Sequence, residues 1–368
     1  MLAVGIHRQV THYGHDLTGF VQFGSFFAPH THPPAGAVVL SGGAASGYDG
    51  QFYYVLARDP LLLHHSTLAD LGAQAFRANR IGYPALAALV SRGAHVTLPL
   101  ALLSVNVAVV LALTAGFALY LRSRGRSGLW ALALGLLPGF LLATLRDLTD
   151  PLATAAALGG VIAYTRGRRW PAGVLLGVAV LTRDVMALVV VAVALDGAGR
   201  AWRERRVAGS ARRVAADLAP VVVIPAIAFV GWRLYVASRN RGALQLSSAL
   251  HLPTFDASLS AAFNSHPQSV AVWDVTYQAL MLVAVVVALF AVWRNRDAFS
   301  IGAALMALSL FVAGFQPVWG DTRDSLPVFA LLLTAGLVNR RRLELLPCVA
   351  AAAMTALIPF AIPGVLTG

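Results

Sequence analysis

The sequence contains no lysine and one cysteine, Cys348, so no disulfide framework can form and redox chemistry says nothing about compartment. Charge is scarce as well: 12% of the 368 residues are charged, about half the roughly 25% of a soluble globular domain. That scarcity excludes an ordinary cytosolic enzyme. The 28 basic residues, all arginine, outnumber 16 acidic ones, a balance that in a soluble chain would point to nucleic acid. Most of these arginines sit in short loops between apolar stretches, so membrane orientation is the better explanation and no nucleic-acid partner is expected. Also missing are a Gly-rich phosphate loop, a nucleophile elbow and a zinc-protease string. Without an internal repeat, neither a solenoid nor an inverted-repeat transporter is suggested.

What is present is apolar: 58% of the chain, far more than one soluble core could bury. About 20 apolar residues cross the hydrocarbon core as a helix. On that ruler spans fall near 97 to 121, 128 to 146, 150 to 165, 218 to 236, 276 to 293, 298 to 316, 325 to 339 and 344 to 366. Residues 171 to 195 form one apolar stretch broken by Arg183 and Asp184, either a single span or two short helices meeting there. Arginine clusters decide between them: Arg122, Arg124 and Arg126; Arg166, Arg168 and Arg169; Arg200 to Arg213; Arg294 and Arg296; Arg340 to Arg342. All five share one side only if 171 to 195 goes in and returns. The expected fold is therefore an all-α polytopic membrane protein, with a body over 97 to 368 of about nine or ten helices and the clusters in the cytoplasm. Residues 1 to 96, and a second loop at 237 to 275, then face outward from a plasma (inner) membrane.

The opening Met1 to Ile6 is apolar but too short to span. Either a first helix upstream has been lost or the segment lies at the interface. The rest of the outer segment carries Asp16, Asp49, Asp59 and Asp70, eight of the ten histidines, and turns around Pro33-Pro34 and Gly42-Gly43. From Thr67 to Arg92 the apolar pattern predicts amphipathic helices on the outer membrane surface.

Charges at bilayer depth are costly and point to function, which singles out Arg146, Asp147, Asp150, Arg183, Asp184, Asp321, Arg323 and Asp324, all at outer helix ends. The bland reading is local pairing, Arg146 with Asp150 and Arg323 with Asp321 or Asp324. Their convergence from three helix pairs favours a site holding a phosphate-bearing lipid headgroup. In the loop, Gly47-Tyr48-Asp49-Gly50-Gln51-Phe52-Tyr53-Tyr54 sets a carboxylate at a turn before aromatic residues. Asp-Gly alone is merely a good turn.

The Tyr48 to Tyr54 string, the following Ala57-Arg58-Asp59-Pro60, Arg80-Ile81-Gly82-Tyr83-Pro84 and Leu181-Thr182-Arg183-Asp184 together resemble bacterial integral-membrane glycosyltransferases of the GT-C superfamily. These are similar to polyprenyl-phosphate-sugar-dependent mannosyl- and arabinosyltransferases. The resemblance implies a GT-C-like helical bundle with a large extracytoplasmic first loop and a sugar donor carried on polyprenyl phosphate. It also implies an envelope acceptor (glycan, lipid or protein) and a loop carboxylate acting as general base. Asp49 matches that base most naturally; Asp16, in His15-Asp16-Leu17-Thr18, resembles the other early acidic position. Burial under the loop is expected to raise the Asp49 pKa toward usefulness. The leaving lipid phosphate needs positive charge, which suits Arg183, Arg323 or Arg80. Substrate contacts are expected from Tyr48, Gln51, Tyr53, Arg80, Tyr83, Arg146, Asp150, Arg183 and Arg323. No cofactor is expected. A divalent metal near Asp16 and Asp49, helped by His12, His15, His30, His32, His64 or His65, stands against a structural role for these histidines, whose spacing is not specific. The rival functions are a lipid-linked-sugar transporter or flippase, and a non-catalytic partner of an envelope-polymer assembly complex.

Overall fold

The computed structural model describes residues 1–94, 97–204, 210–240, 268–312 and 323–361. It is 78% helical, and the one strand pairing among the described residues joins β1 (Phe23–Gly24) to β2 (Val39–Leu40) in parallel. The N-terminal region carries α1 (Leu2–His12), α2 (Gly50–Arg58), α3 (His65–Leu71), a 3-10 stretch at Gly72–Asn79 and α4 (Gly82–Val90). The body then runs through α5 (Leu98–Ser123), α6 (Trp130–Gly135), α7 (Pro138–Leu145), α8 (Asp150–Thr165), α9 (Arg169–Thr182), α10 (Ala187–Glu204) and α11 (Ser210–Arg239). It ends with α12 (Gln268–Asn295), α13 (Ala298–Val312), α14 (Leu326–Val338) and α15 (Leu346–Ala361).

Among the described residues four segments are long and apolar enough to cross a membrane: Leu98–Ser123, Asp184–Arg203, Ala216–Arg239 and Val275–Asn295. Leu111, Leu119, Ile227, Val230 and Val286 are exposed on them, a surface that lipid covers at no cost and water does not. Prolines set several starts. Pro99, Pro151 and Pro327 occupy the first turns of α5, α8 and α14, where a missing N–H costs nothing. The stretch expected as one span at 128 to 146 is instead two short helices. Leu137 is extended at ψ 132° because Pro138 disfavours the helical region for its predecessor, so α6 ends before α7 starts. Helix α9 lies close to α11 through Gly173, whose missing side chain leaves room for the Pro220 carbonyl.

The predicted reversal at Arg183 is present. Arg169 at the start of α9 donates to Asp217 near the start of α11 at 3.2 Å, and Tyr164 at the end of α8 donates to Asp196 of α10 at 3.0 Å. Arg166 bonds Ser123 at the end of α5, and Arg126 Nε donates to the Leu337 carbonyl of α14 at 3.1 Å. Asn339 reaches Asp297 at 2.7 Å and Asn295 reaches Glu344 at 3.2 Å. Members of all five arginine clusters therefore gather at one end of the bundle. Thr182 to Asp184 lie at the other end, with the N-terminal region.

That region packs onto the body. Leu2, Ile6 and Val10 of α1 rest against Phe20, Leu103, Leu141 and Leu145. A core of Phe52, Tyr53, Leu56, Leu71 and Tyr83 closes against Leu98 and Leu102 of α5. Residues 95 and 96, 205 to 209, 241 to 267, 313 to 322 and 362 to 368 lie outside the described residues, and with them part of the Arg200 to Arg213 cluster, most of the second outer loop, the ends of the spans at 298 to 316 and 344 to 366, and Asp321.

Candidate functional site

Asp49 stands directly before α2, where an aspartate usually accepts a hydrogen bond from its own helix. Its side chain makes no such cap. The carboxylate turns instead to two guanidiniums: Arg77 Nη2 donates to Oδ1 at 2.5 Å and Arg323 Nη1 to Oδ2 at 3.2 Å. The turn that aims it depends on two glycines. Gly47 has φ +58°, and a Cβ there would meet the Gln22 carbonyl at 2.4 Å. A Cβ on Gly50 would meet backbone oxygens of Arg146 at 2.6 Å and Val21 at 2.7 Å, so α2 is seated directly on the loop between α7 and α8.

The surrounding charges interlock across helices, not locally. Arg183, at the α9 break, pairs with Asp150 at the start of α8 and with Asp324 before α14 at 2.7 Å. Asp184 takes Arg233 of α11 at 3.0 Å and lies 4.0 Å from Arg80. Arg80 Nη1 also donates to the Tyr53 hydroxyl at 3.2 Å. The Arg146 guanidinium sits 4.4 Å over one face of Tyr48, and Arg323 lies 5.1 Å from the same ring. The expected pair of Arg146 with Asp150 is thus replaced, because Arg183 takes Asp150. Arg77, Arg80, Arg146, Arg183, Arg233 and Arg323 face Asp49, Asp150, Asp184 and Asp324, six guanidiniums to four carboxylates. Over these ten residues guanidiniums exceed carboxylates by two; Asp147, next to Arg146 in the chain, is outside this count. Nε of Arg80, Arg183 and Arg233 is buried without a hydrogen-bond acceptor.

The electrostatics reverse one expectation. Burial alone would push the Asp49 carboxyl up, but Arg323, Arg77 and Arg80 outweigh it and hold the group well below the usual carboxylate range. With this charge set in place, Asp49 is an ionised ion-pair partner and a weak base.

No family model, curated protein or solved structure matches this sequence. The site is therefore read from its own chemistry.

Of the residues expected in the site, Asp49, Tyr48, Tyr53, Arg80, Arg146, Asp150, Arg183 and Arg323 come together. Tyr83 stands one layer beneath, its ring edge-on to Tyr53 at 6.2 Å and its hydroxyl donating to the Leu102 carbonyl at 2.9 Å. Gln51 is fully buried and spends its amide on backbone, accepting from Gly24 N at 3.1 Å and donating to the Ser46 carbonyl at 2.8 Å. It braces the loop. Asp16 accepts from Thr18 N and Oγ1, both at 2.8 Å, and so fixes the turn into the segment that supports α2. Asp59 holds the turn before α3 by accepting from Leu63 N, His64 N and Thr67 Oγ1. Among the described residues, His64 lies 3.3 Å from Asp59 and His32 3.6 Å from Asp70. Among the described residues no group of three or more His, Cys, Asp or Glu side chains is arranged to hold a metal ion.

Two cluster members escaped the sequence reading. Arg77 lies where the apolar pattern predicts an amphipathic surface, but Phe52 and Phe76 flank its guanidinium at 4.5 and 4.7 Å and aim it at Asp49. Arg233 lies within the apolar run of α11, and the rule that charges at bilayer depth mark function would have found it.

Proposed function

We propose that this protein is an integral membrane glycosyltransferase that takes a sugar from a polyprenyl-phosphate donor and passes it to an envelope acceptor on the outer side of the plasma membrane. The observation that supports it is the arginine-rich charge cluster at the end opposite the five loop clusters, built around a loop carboxylate. Its positive surplus suits one phosphate group, and its carboxylate lies among the same guanidiniums. On this reading the donor phosphate competes with Asp49 for Arg77 and Arg323. Arrival of the anion removes part of the charge that holds Asp49 acidic, so its basicity rises when a donor is present. Asp49 then accepts the acceptor hydroxyl's proton as that oxygen bonds to the anomeric carbon and the lipid phosphate departs as an anion held by Arg183 and Arg323. The acidity of Asp49 at rest favours the second reading, a binding or transport protein that handles the same lipid without chemistry. Incubating purified protein with radiolabelled polyprenyl-phosphate sugars and membrane acceptors separates the two: labelled acceptor supports transfer, and donor binding without product supports transport.

The orientation has its own test. Cysteines at Ser41 and Ser46, exposed in the loop region, should react with an impermeant thiol reagent in intact cells, whereas cysteines at Ser127 and Arg168 should be shielded. The native Cys348 is fully buried and gives no background. A reversed pattern removes the outward site.

A further inference from the structure

Asp147 lies in the loop between α7 and α8, next to Arg146, whose backbone oxygen lies against Gly50 of α2. It is fully buried, neither carboxylate oxygen has a hydrogen-bond partner, and its backbone takes φ +48°, a left-handed conformation that non-glycine residues rarely adopt. An ionised carboxylate in such a place would be costly. The group beside it is the Tyr83 hydroxyl of α4. That hydroxyl has one proton, and it goes to the Leu102 carbonyl at 2.9 Å, which has no hydrogen to give in return. Asn106 Nδ2 of α5 donates to the same Tyr83 oxygen at 3.0 Å and to the Leu148 carbonyl at 3.0 Å. Tyr83 therefore presents a lone pair to Asp147. A lone pair repels a carboxylate and accepts from a carboxylic acid.

We infer that Asp147 is a neutral carboxylic acid beside the Tyr83 oxygen, and that its neutrality preserves the positive surplus of the cluster above it. This rests on the reading of that cluster as a phosphate site. The acid lies beside Tyr83, which supports Tyr53 and through it Arg80. It also lies next to Arg146, whose charge faces Tyr48, and three residues before Asp150, which is occupied by Arg183. Ionisation would add one negative charge and halve the surplus. Asp147 is thus a positioning residue that also tunes affinity for an anion. Burial pushes its pKa well above the ordinary carboxylate value, with only a partial counter-effect from Tyr83. The folded protein binds this proton more tightly than the unfolded chain. Stability therefore falls as pH rises from the ordinary carboxylate range to the raised pKa and levels off above it.

Infrared difference spectroscopy on the full chain in detergent tests the protonation directly. Subtracting the Asp147→Asn spectrum from wild type at neutral pH should reveal the carbonyl stretch of a protonated acid, sensitive to deuterium exchange and lost as pH is raised. In Tyr83→Phe, which removes the neighbouring oxygen, the band should persist and shift in frequency. Carboxylate bands alone in the first subtraction overturn the inference, and an unmoved band in Tyr83→Phe overturns the contact. Should Asp147→Asn not fold, the Tyr83→Phe shift against wild type decides. For the functional half, polyprenyl phosphate in detergent micelles is the probe. Its affinity should weaken several-fold in wild type as the acid band disappears, and stay level in Asp147→Asn. Parallel pH dependence in both proteins overturns the charge-tuning role. An acid band with no lipid binding at any pH sinks that role together with the phosphate reading, while leaving the neutral acid itself established.

Discussion

Asp49→Asn should lower sugar transfer by about 10²-fold or more while donor-lipid binding is retained or tightened. The two effects have opposite signs for one reason. The amide keeps the size and the turn but accepts no proton, so a transfer step that needs a base slows. The same change removes one negative charge from between Arg77 and Arg323, which hold Asp49 at 2.5 and 3.2 Å, so a phosphate meets more positive charge. A general loss of fold would lower both quantities together. Turnover and donor affinity measured on the same membranes check this. Near-normal transfer in Asp49→Asn, with abolition in Asp16→Asn, would move the base to Asp16; full activity in both removes the mechanism. Asp59→Asn is the control. Because Asp59 serves only its turn, that variant should lose some stability and keep its ratio of turnover to folded protein.

The largest stability effect should come from Arg183→Ala. Arg183 bridges Asp150 and Asp324, and removing it leaves two nearly buried carboxylates without their partner. Breaking such a pair costs about 3 to 5 kcal/mol, because an uncompensated charge stays behind. The melting transition in detergent should fall steeply, and any folded fraction should show a donor KM raised roughly tenfold or more, since each 1.4 kcal/mol lost from a charged contact is a factor of ten. Arg183→Ala combined with Asp150→Asn and Asp324→Asn should recover much of the melting temperature and none of the donor affinity. If the single variant melts like wild type, the bridge contributes nothing to the fold. If its donor KM is also unchanged, Arg183 is not a phosphate contact. Arg183→Lys discriminates further: one ammonium keeps the charge but lacks the planar fork that spans two carboxylates.

The helical class and the reversal at Arg183 were legible because both follow from one-dimensional patterns. Apolar run length marks helices, and arginines between the runs mark an end. The break at Leu137 was missed because the run from 128 to 146 is continuously apolar, and only the preference imposed by Pro138 interrupts it. Site membership was legible to the extent that a charge in an apolar setting is conspicuous. Partner choice was not: Arg183 could have paired with its neighbour Asp184, yet Asp184 turns to Arg233 and Arg80 while Arg183 reaches Asp150 and Asp324. Those pairings are set by helix packing, not by spacing along the chain. Gln51 was read as a substrate contact because it lies beside Asp49, but its fully buried amide serves backbone groups at Gly24 and Ser46. A sequence shows that a polar residue is present and is silent on which way it points.

The contact between Asp49 and Arg323 joins residues 274 positions apart, and this has a consequence for how the protein is made. A chain emerging from its N-terminus produces the loop carboxylate early and the guanidinium that completes its charge set only after most of the bundle exists. Until then Asp49 has Arg77 and Arg80 without Arg323, and Arg183, already paired with Asp150, lacks Asp324. The charge cluster is therefore completed late. A nascent chain arrested before residue 323 should be recognisable to the cell's quality control by the buried charges it has not yet paired.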